Sequence, residues 1–291
     1  MFKGSIPAVI TPFDNESIDY DSLQVHIEFL IKEGSHGLVS CGTTGESPTL
    51  DHDEHKKVTE FLVKHSSNKV PVMAGCGSNS TKESIELVHH AKNIGANAAL
   101  LVSPYYNKPT QEGLFQHFEK IALSQPDFPI YLYNIPGRSV VNINIGTLKK
   151  LSELKNIVGV KDATSDLSLP LKVRSECGKS FIQLSGEDAT FLSFLISGGI
   201  GCISVAANVI PKLCADLYNH WVSGNITEAT RINDLIFPLN DALFIETSPG
   251  PVKYALSLMK KCKNQLRLPL VTINEENKKK IKDVMNKLHL I

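Results

Sequence analysis

The stretch Asn156-Ile-Val-Gly-Val-Lys-Asp-Ala-Thr164 is a short apolar run that gives way abruptly to polar residues at Lys161. Apolar runs of this kind recur along the chain, and between them lie segments whose apolar residues repeat with helical spacing. This alternation is typical of βαβ units built around a parallel sheet. The runs that predict strands are Ile6–Thr11, Gly37–Ser40, Val70–Ala74, Ala98–Val102, Ile130–Tyr133, Ile157–Val160, Phe181–Leu184 and Cys202–Val205.

Eight strand candidates alternating with helical segments predict an α/β fold, a (β/α)8 TIM barrel. An open doubly wound sheet stays the alternative fold. The strand pattern stops near residue 225, and three helical segments follow, at Ile226–Leu243, Val252–Lys261 and Glu275–Leu288. We therefore expect a barrel catalytic domain of residues 1–224 and a small C-terminal helical extension of residues 225–291.

The composition limits the classes of partner. The chain has 291 residues, of which 42% are hydrophobic and 21% charged, and its formal net charge is zero. These values are typical of a globular protein with a sizeable core, and they give no electrostatic hold on nucleic acid or on an anionic membrane. The sequence also lacks an apolar run near the ~20 residues that cross a bilayer.

The cysteines indicate the compartment. All six are scattered, and none belongs to a C-x-x-C pair. We interpret them as reduced thiols of a cytoplasmic protein. The N-terminal segment resembles a first core strand rather than a signal peptide.

Lys161 is the residue whose position most strongly suggests chemistry. It stands where a parallel strand runs into a loop, and active sites of α/β barrels are built at such positions. Burial beside Ile157, Val158 and Val160 disfavours the ammonium form, and a neutral amine can form a Schiff base with a carbonyl. A strand-end lysine that pairs with Asp162 or reaches solvent is the alternative, and it is the better one for Lys161 considered alone.

Other predicted strand ends add polar groups that favour the chemical interpretation. A tyrosine there can carry protons to and from a carbinolamine. Arg138 can hold a carboxylate with two parallel hydrogen bonds. Each segment alone could be a turn, a core tyrosine or a surface ion pair. The segments are Cys41-Gly-Thr-Thr-Gly-Glu-Ser47, Ser103-Pro-Tyr-Tyr-Asn-Lys-Pro109, Tyr131-Leu-Tyr-Asn-Ile-Pro-Gly-Arg138, Ser185-Gly-Glu-Asp188 and Gly201-Cys-Ile-Ser204.

Motifs for nucleotides and metals are incomplete. Gly75-Cys-Gly-Ser-Asn-Ser80 lacks the full G-x-G-x-x-G pattern, and His52-Asp-Glu-His55 does not have the H-E-x-x-H order of zinc proteases. We therefore expect no metal site and no cofactor.

Four signatures together resemble the dihydrodipicolinate synthase family of the pyruvate-dependent class I aldolase superfamily. They are Gly42-Thr-Thr-Gly-Glu46, Pro104-Tyr-Tyr106, Tyr133-Asn-Ile-Pro-Gly-Arg-Ser139 and Gly159-Val-Lys-Asp-Ala-Thr164. The resemblance covers essentially the whole chain. It implies that Lys161 forms a Schiff base with pyruvate, whose enamine attacks L-aspartate 4-semialdehyde in the diaminopimelate route to lysine.

The resemblance also implies roles for individual residues. Tyr133, Thr43 and Tyr106 match the family's proton-relay triad, with Tyr106 reaching the active site of a neighbouring subunit. The implied assembly is a homo-oligomer, a tetramer built as a dimer of dimers. The remaining positions match residues that bind substrate, and they are Thr44 for the pyruvate carboxylate, Arg138 for the semialdehyde carboxylate, and Gly186 and Ile203 for the pyruvate pocket.

Lysine-sensitive family members bind L-lysine away from the Schiff base, which implies feedback inhibition here. An acidic side chain can pair an ammonium group, and an amide and a phenol can hold the carboxylate. The matching positions are Ser47, Pro48, His52, His55, Asn79, Glu83 and Tyr105.

Two other functions stay open from the residues. A sister aldolase, such as N-acetylneuraminate lyase or a 2-keto-3-deoxy-sugar acid aldolase, would share the Schiff-base step. Arg138 argues against it, because a long polyol substrate requires no carboxylate clamp at that point. A catalytically silent barrel that binds an amino acid as a regulator would share the fold alone.

Overall fold

The computed structural model describes residues 1–66 and 69–291. Within these residues, eight parallel strands form one sheet in which neighbours in the chain are neighbours in space, and the last strand pairs with the first. A further bridge between Ala8 and Val39 joins the two edges of the sheet, so the strands form a barrel. The strands are β1 (Gly4–Pro7), β2 (Leu38–Ser40), β3 (Val72–Gly75), β4 (Ala98–Val102), β5 (Ile130–Asn134), β6 (Ile157–Asp162), β7 (Ile182–Ser185) and β8 (Gly201–Ser204).

Helices follow the strands and form the outer layer, which confirms the predicted TIM barrel. A small two-stranded hairpin, Phe13–Asp14 with Ser17–Ile18, lies between β1 and the first helix. The barrel helices are α1 (Tyr20–Lys32), α2 (His52–Ser66), α3 (Thr81–Asn93), α4 (Gln111–Ser124), α5 (Ile145–Ser152), α6 (Leu169–Cys177), α7 (Phe191–Ile196) and α8 (Pro211–Val222). The extension consists of α9 (Ile226–Ala242), α10 (Gly250–Leu258) and α11 (Glu275–Lys287).

The predicted strands agree with the observed ones to within a few residues, and the largest difference is at β1. This strand was expected over Ile6–Thr11 but ends at Pro7. Beyond it, the Val9 amide bonds to Val39 and the Ile10 amide to the Asn208 side chain, at 3.4 Å. The Val9 amide belongs to the bridge that closes the barrel, whereas the Ile10 amide has a side-chain partner, so the regular ladder stops earlier than the apolar run indicates.

Strand side chains alternate between the inside of the barrel and the helical layer. Leu132 and Val160 pack among helix residues, whereas Tyr133 packs with Leu184 and Ile203 inside the barrel. Since successive side chains of a strand point to opposite faces, Lys161 is directed into the barrel interior.

The extension packs against the last βα unit of the barrel. One apolar cluster contains Cys202 and Leu217 of the barrel together with Ile232, Val252 and Ile281 of the extension. The boundary predicted at residue 225 falls between α8 and α9. The division into two domains stays a prediction.

The cysteines match their expected state. All six lie in described residues as free thiols, and five are buried while Cys177 is partly exposed. Among the helices of the described part of the chain, we find none both long enough and apolar enough to cross a membrane.

Candidate active site

Lys161 lies near the carboxyl end of β6, and only 7% of its surface is exposed. In the sheet it is the register partner of Tyr133 on β5. Its Nζ lies 4.0 Å from the centroid of the Tyr133 ring. The amine of the predicted Schiff-base lysine therefore lies against the ring of the tyrosine that we expect to relay protons.

Gly186 follows β7, the strand beside that of Lys161, and Ile203 lies on β8, one strand further around the barrel. The Gly186 amide donates a hydrogen bond to the Asp162 carbonyl, at 2.6 Å. A Cβ atom at position 186 would lie 3.0 Å from Lys161 Cε and 2.7 Å from Ala163 Cβ, so a side chain there would crowd the lysine. Ile203 is buried in the same interior cluster as Tyr133.

The two threonines lie on a 3₁₀ turn, Thr43–Gly45, that follows β2. Thr44 is buried, and its neighbour Gly45 accepts a hydrogen bond from the Thr11 hydroxyl at 2.7 Å. Thr43 is partly exposed and lines the same cavity as Tyr133. The structure thus brings Thr43 into the cavity that Tyr133 also lines.

Arg138 lies on a four-residue helical turn, Pro136–Ser139, directly after β5. Its side chain is exposed, and Nη2 is 3.5 Å from the carbonyl oxygen of Ser248. Burial raises the pKa of Glu187, together with the nearby Asp188 charge, while Lys161 and Arg138 oppose this rise. Both cations therefore act electrostatically on the same carboxyl group at the barrel mouth.

Asp188 is a buried acid to which the sequence analysis gave no role. Its carboxylate accepts hydrogen bonds from the Ser204 hydroxyl and from the amides of Val205, at 2.8 Å, and Ala206, at 3.0 Å. Burial raises the pKa of Asp188, and these hydrogen bonds and the Lys161 charge oppose the rise. Two consecutive acidic residues directly after a buried strand were the sequence signal for Asp188 and Glu187.

Tyr106 does not line the cavity that Thr43 and Tyr133 share. Its side chain is 88% exposed, and its backbone has φ 73°, a left-handed conformation that is strained for an aromatic residue. Within one chain the predicted relay is therefore assembled only in part, from Tyr133 and Thr43.

A second cleft, of about 180 Å³, lies beside the starts of α2 and α3. His52 Nε2 is 2.9 Å from Glu83 Oε1 across this cleft. Asn79 Nδ2 donates to the Tyr105 carbonyl at 3.1 Å. The predicted lysine-site residues that line the cleft are Ser47, Pro48, His52, His55, Glu83 and Tyr105.

The surroundings of this cleft shift the pKa values of two of its side chains. Burial lowers the pKa of His55 to about 4, so this histidine is neutral near pH 7. Glu83 accepts a hydrogen bond from the Ser78 hydroxyl, and burial together with the Glu83 charge raises the pKa of Tyr105. The cleft therefore combines a carboxylate with neutral hydrogen-bonding groups.

Metal ligands form no comparable group. In residues 1–66 and 69–291, we find no cluster of three or more histidine, cysteine, aspartate or glutamate side chains that could hold a metal ion.

A parallel barrel with a buried lysine at the end of its sixth strand, in contact with a tyrosine, defines an aldolase-type enzyme that works through a lysine amine. The model of the Dihydrodipicolinate synthetase family matches residues 1–288. The chain belongs to this family.

Individual relatives are similar to this chain over essentially their full length. A 4-hydroxy-tetrahydrodipicolinate synthase of Rhodospirillum centenum is 54% identical over 291 residues, which are 100% of both chains. A dihydrodipicolinate synthase of Acinetobacter baumannii, solved in complex with pyruvate, has a TM-score of 0.97 at 38% identity, with 100% of both chains covered. A dihydrodipicolinate synthase of Cyanidioschyzon merolae, solved with lysine bound, has a TM-score of 0.96 at 37% identity and covers 100% of this chain and 99% of its own.

Proposed function

We propose that Lys161 is the amine through which this chain carries out its family's reaction. That reaction is the condensation of pyruvate with L-aspartate 4-semialdehyde, as in 4-hydroxy-tetrahydrodipicolinate synthase, on the diaminopimelate route to lysine. The observation that carries the assignment is the buried Lys161 amine against the Tyr133 ring, beside a glycine that leaves room for the substrate.

The chemistry begins with attack of Lys161 Nζ on the C2 carbonyl of pyruvate. Loss of water from the carbinolamine gives an iminium ion, and loss of a proton from C3 gives an enamine. The enamine carbon then attacks the aldehyde of the semialdehyde and forms the new carbon–carbon bond. The amino group of the product attacks C2, which closes the ring and releases the lysine.

Each proton transfer in this sequence needs a group within reach. We assign them to Tyr133, in contact with the amine, and to Thr43, which shares its cavity. Thr44 and the backbone around Gly186 and Ile203 hold pyruvate. Arg138 holds the carboxylate of the semialdehyde with its planar guanidinium.

L-lysine is the proposed feedback inhibitor, and the cleft between α2 and α3 is its proposed site. The Glu83 carboxylate suits an ammonium group of the ligand, and the amide of Asn79 and the phenol of Tyr105 suit its carboxylate. The lysine-bound relative supports this assignment.

The exposed position of Tyr106 supports an assembly in which this residue acts on a neighbouring subunit. We propose a homo-oligomer built as a dimer of dimers, in which two chains complete each other's relay. A biosynthetic role on the diaminopimelate route suits a cytoplasmic protein.

The test of the activity is the rate at which purified protein condenses pyruvate with L-aspartate 4-semialdehyde. We expect a robust rate that Lys161→Ala abolishes. Borohydride reduction in the presence of pyruvate should increase the mass of the wild-type protein at Lys161 and leave Lys161→Ala unchanged.

Two other outcomes would change the assignment. Trapping at Lys161 without condensation would mean that the acceptor is wrong, and 2-keto-3-deoxy-sugar acids and N-acetylneuraminate would be tested next. Folded protein without any trapping would indicate a silent barrel that binds its ligands without reaction.

A further inference from the structure

Glu46 and Lys253 form an ion pair between the loop after β2 and the extension helix α10. Both side chains have no exposed surface. Lys253 Nζ also donates to the Gln265 carbonyl at 2.9 Å and lies 4.0 Å from the centroid of the Phe13 ring. The other Glu46 oxygen accepts the Arg267 amide at 3.1 Å. The pair is therefore enclosed by groups of the barrel and of the extension.

Burial of two opposite charges is a poor way to stabilise a fold, because both lose their hydration. Desolvation lowers the pKa of Lys253, and the Glu46 charge opposes this effect. Removal of one partner leaves an unpaired buried charge, which is strongly destabilising. If either the loop after β2 or helix α10 moved, the buried pair would break, so each segment holds the other in place.

Glu46 has an unusual backbone conformation next to the turn that carries Thr43 and Thr44. Its φ is 54°, in the left-handed region that side chains with a Cβ disfavour. It ends the 3₁₀ turn Thr43–Gly45 and precedes the 3₁₀ turn Ser47–Thr49. Its amide donates to the Thr43 carbonyl at 3.1 Å. The left-handed residue therefore closes the turn that carries Thr43 and Thr44, and a change in its conformation would displace that turn.

We propose that Lys253 is a positioning residue for the reaction. By holding Glu46 in its left-handed conformation, it orients the hydroxyls of Thr43 and Thr44 toward Tyr133 and the pyruvate site. The C-terminal extension is then part of the catalytic apparatus, although it supplies none of the proposed catalytic groups. This inference rests on the proposed function.

The test compares the double variant Glu46→Gln/Lys253→Met with the wild type and with Lys253→Met. The double variant removes both charges, and its glutamine side chain keeps the size of the glutamate and an acceptor for the Arg267 amide. Lys253→Met alone leaves the Glu46 charge buried and unpaired, so we expect it to unfold at a lower temperature or to fail to fold. The double variant should keep a melting temperature near that of the wild type.

For the double variant we expect kcat to fall at least about tenfold, because misplaced groups lose much of their catalytic effect. KM for pyruvate should rise as well, because Thr44, which holds pyruvate, lies on the same turn, whereas borohydride trapping at Lys161 with saturating pyruvate should persist, since the lysine itself is not displaced. A purely structural role would instead restore kcat together with stability.

The matched control is Asp14→Asn, which breaks the ion pair between Asp14 and Lys263. This pair also joins the extension to the barrel, but about half of each side chain is exposed. The Asp14→Asn variant should leave kcat unchanged. A folded double variant with wild-type kcat would overturn the positioning role alone, whereas absence of condensation in the wild type would overturn the proposed function and this inference with it.

Discussion

At the scale of single residues, Arg138 is the side chain on which the proposed acceptor rests. It is exposed on the turn after β5, where it contacts the Ser248 carbonyl and acts on the same carboxyl group as Lys161. This exposure leaves its remaining donors free to reach a ligand that enters above Lys161. A carboxylate bound by two parallel hydrogen bonds would use the fork geometry that only arginine offers.

Arg138→Lys should therefore impair the acceptor and spare pyruvate. We expect KM for the semialdehyde to rise about tenfold or more, because a lysine keeps the charge but loses the paired donors. KM for pyruvate and borohydride trapping should be unchanged. Steady-state kinetics with each substrate varied in turn measures the effect, and Arg231→Lys, an exposed arginine of α9, is the control. An unchanged semialdehyde KM would show that the clamp is another residue.

His26 is a single residue that should make the stability of the fold depend on pH. It is fully buried in α1, and its Nε2 lies 3.0 Å from Asn208 Oδ1. The Asn208 amide donates to the Ala8 and Val205 carbonyls, so its oxygen accepts and His26 donates. Burial lowers the pKa of His26 to about 4. The neutral ring is the form that the fold requires.

Because its pKa is lowered in the folded state, His26 takes up a proton first in the unfolded chain. Its contribution to stability is complete above about pH 6.5 and is lost as the pH falls toward 4, by about 2–3 kcal/mol between pH 7 and 4.5. In His26→Gln this loss should disappear. Urea unfolding at both pH values and one protein concentration measures it.

The control for that measurement is His289→Gln, an exposed position near the C-terminus. It should keep the full wild-type difference between the two pH values. An equal difference in His26→Gln would mean that other groups, such as His55 and His117, whose pKa values are also lowered by burial, account for the acid sensitivity.

At the scale of elements, the starts of α2 and α3 determine the second cleft. α3 is capped by the Ser80 side chain, which accepts the Glu83 amide. This cap places the Glu83 side chain on the first turn, where it meets His52 of α2. Two helices that are separate in the sequence thus supply opposite walls of one site.

Glu83→Gln should weaken inhibition by L-lysine and leave the uninhibited rate nearly unchanged. Loss of the carboxylate removes the partner of one ammonium group, so we expect the inhibitory concentration to rise about tenfold, within the usual range of coupling energies. Condensation rates over a lysine titration measure this shift. Glu86→Gln, an exposed glutamate on the same helix, is the matched control and should be inhibited as the wild type is. Equal inhibition of both variants would exclude this site.

At the scale of the whole molecule, the exposed Tyr106 leads to a prediction about mixed assemblies. If Tyr106 serves the neighbouring chain, a Lys161→Ala chain can supply its tyrosine to a Tyr106→Ala chain. Each alone should be nearly inactive, whereas co-refolded mixtures should recover up to about a quarter of the wild-type rate for random pairing. Rates of the mixture against each pure variant measure this recovery. Its absence in a mixture shown to co-assemble would place Tyr106 outside the relay.

Local sequence patterns were sufficient to predict the strands and helices and the position of Lys161. Short apolar runs and helical spacing predicted every barrel strand to within a few residues, because each pattern reflects which residues are buried. The position of Lys161 at a strand end followed from the same rule, since barrel sites lie where strands run out. The family resemblance then identified the cleft residues that the structure brings together.

Only the tertiary structure revealed the contacts between distant segments. The left-handed conformation of Glu46 and its burial against Lys253 join positions more than two hundred residues apart, and the burial of Asp188 depends on the loop after β8. The sequence determined the barrel, the lysine and the class of chemistry, because periodicity and strand ends are local properties. The packing of the extension and the partners of buried charges were decided by the folded structure, because desolvation depends on everything that surrounds a side chain.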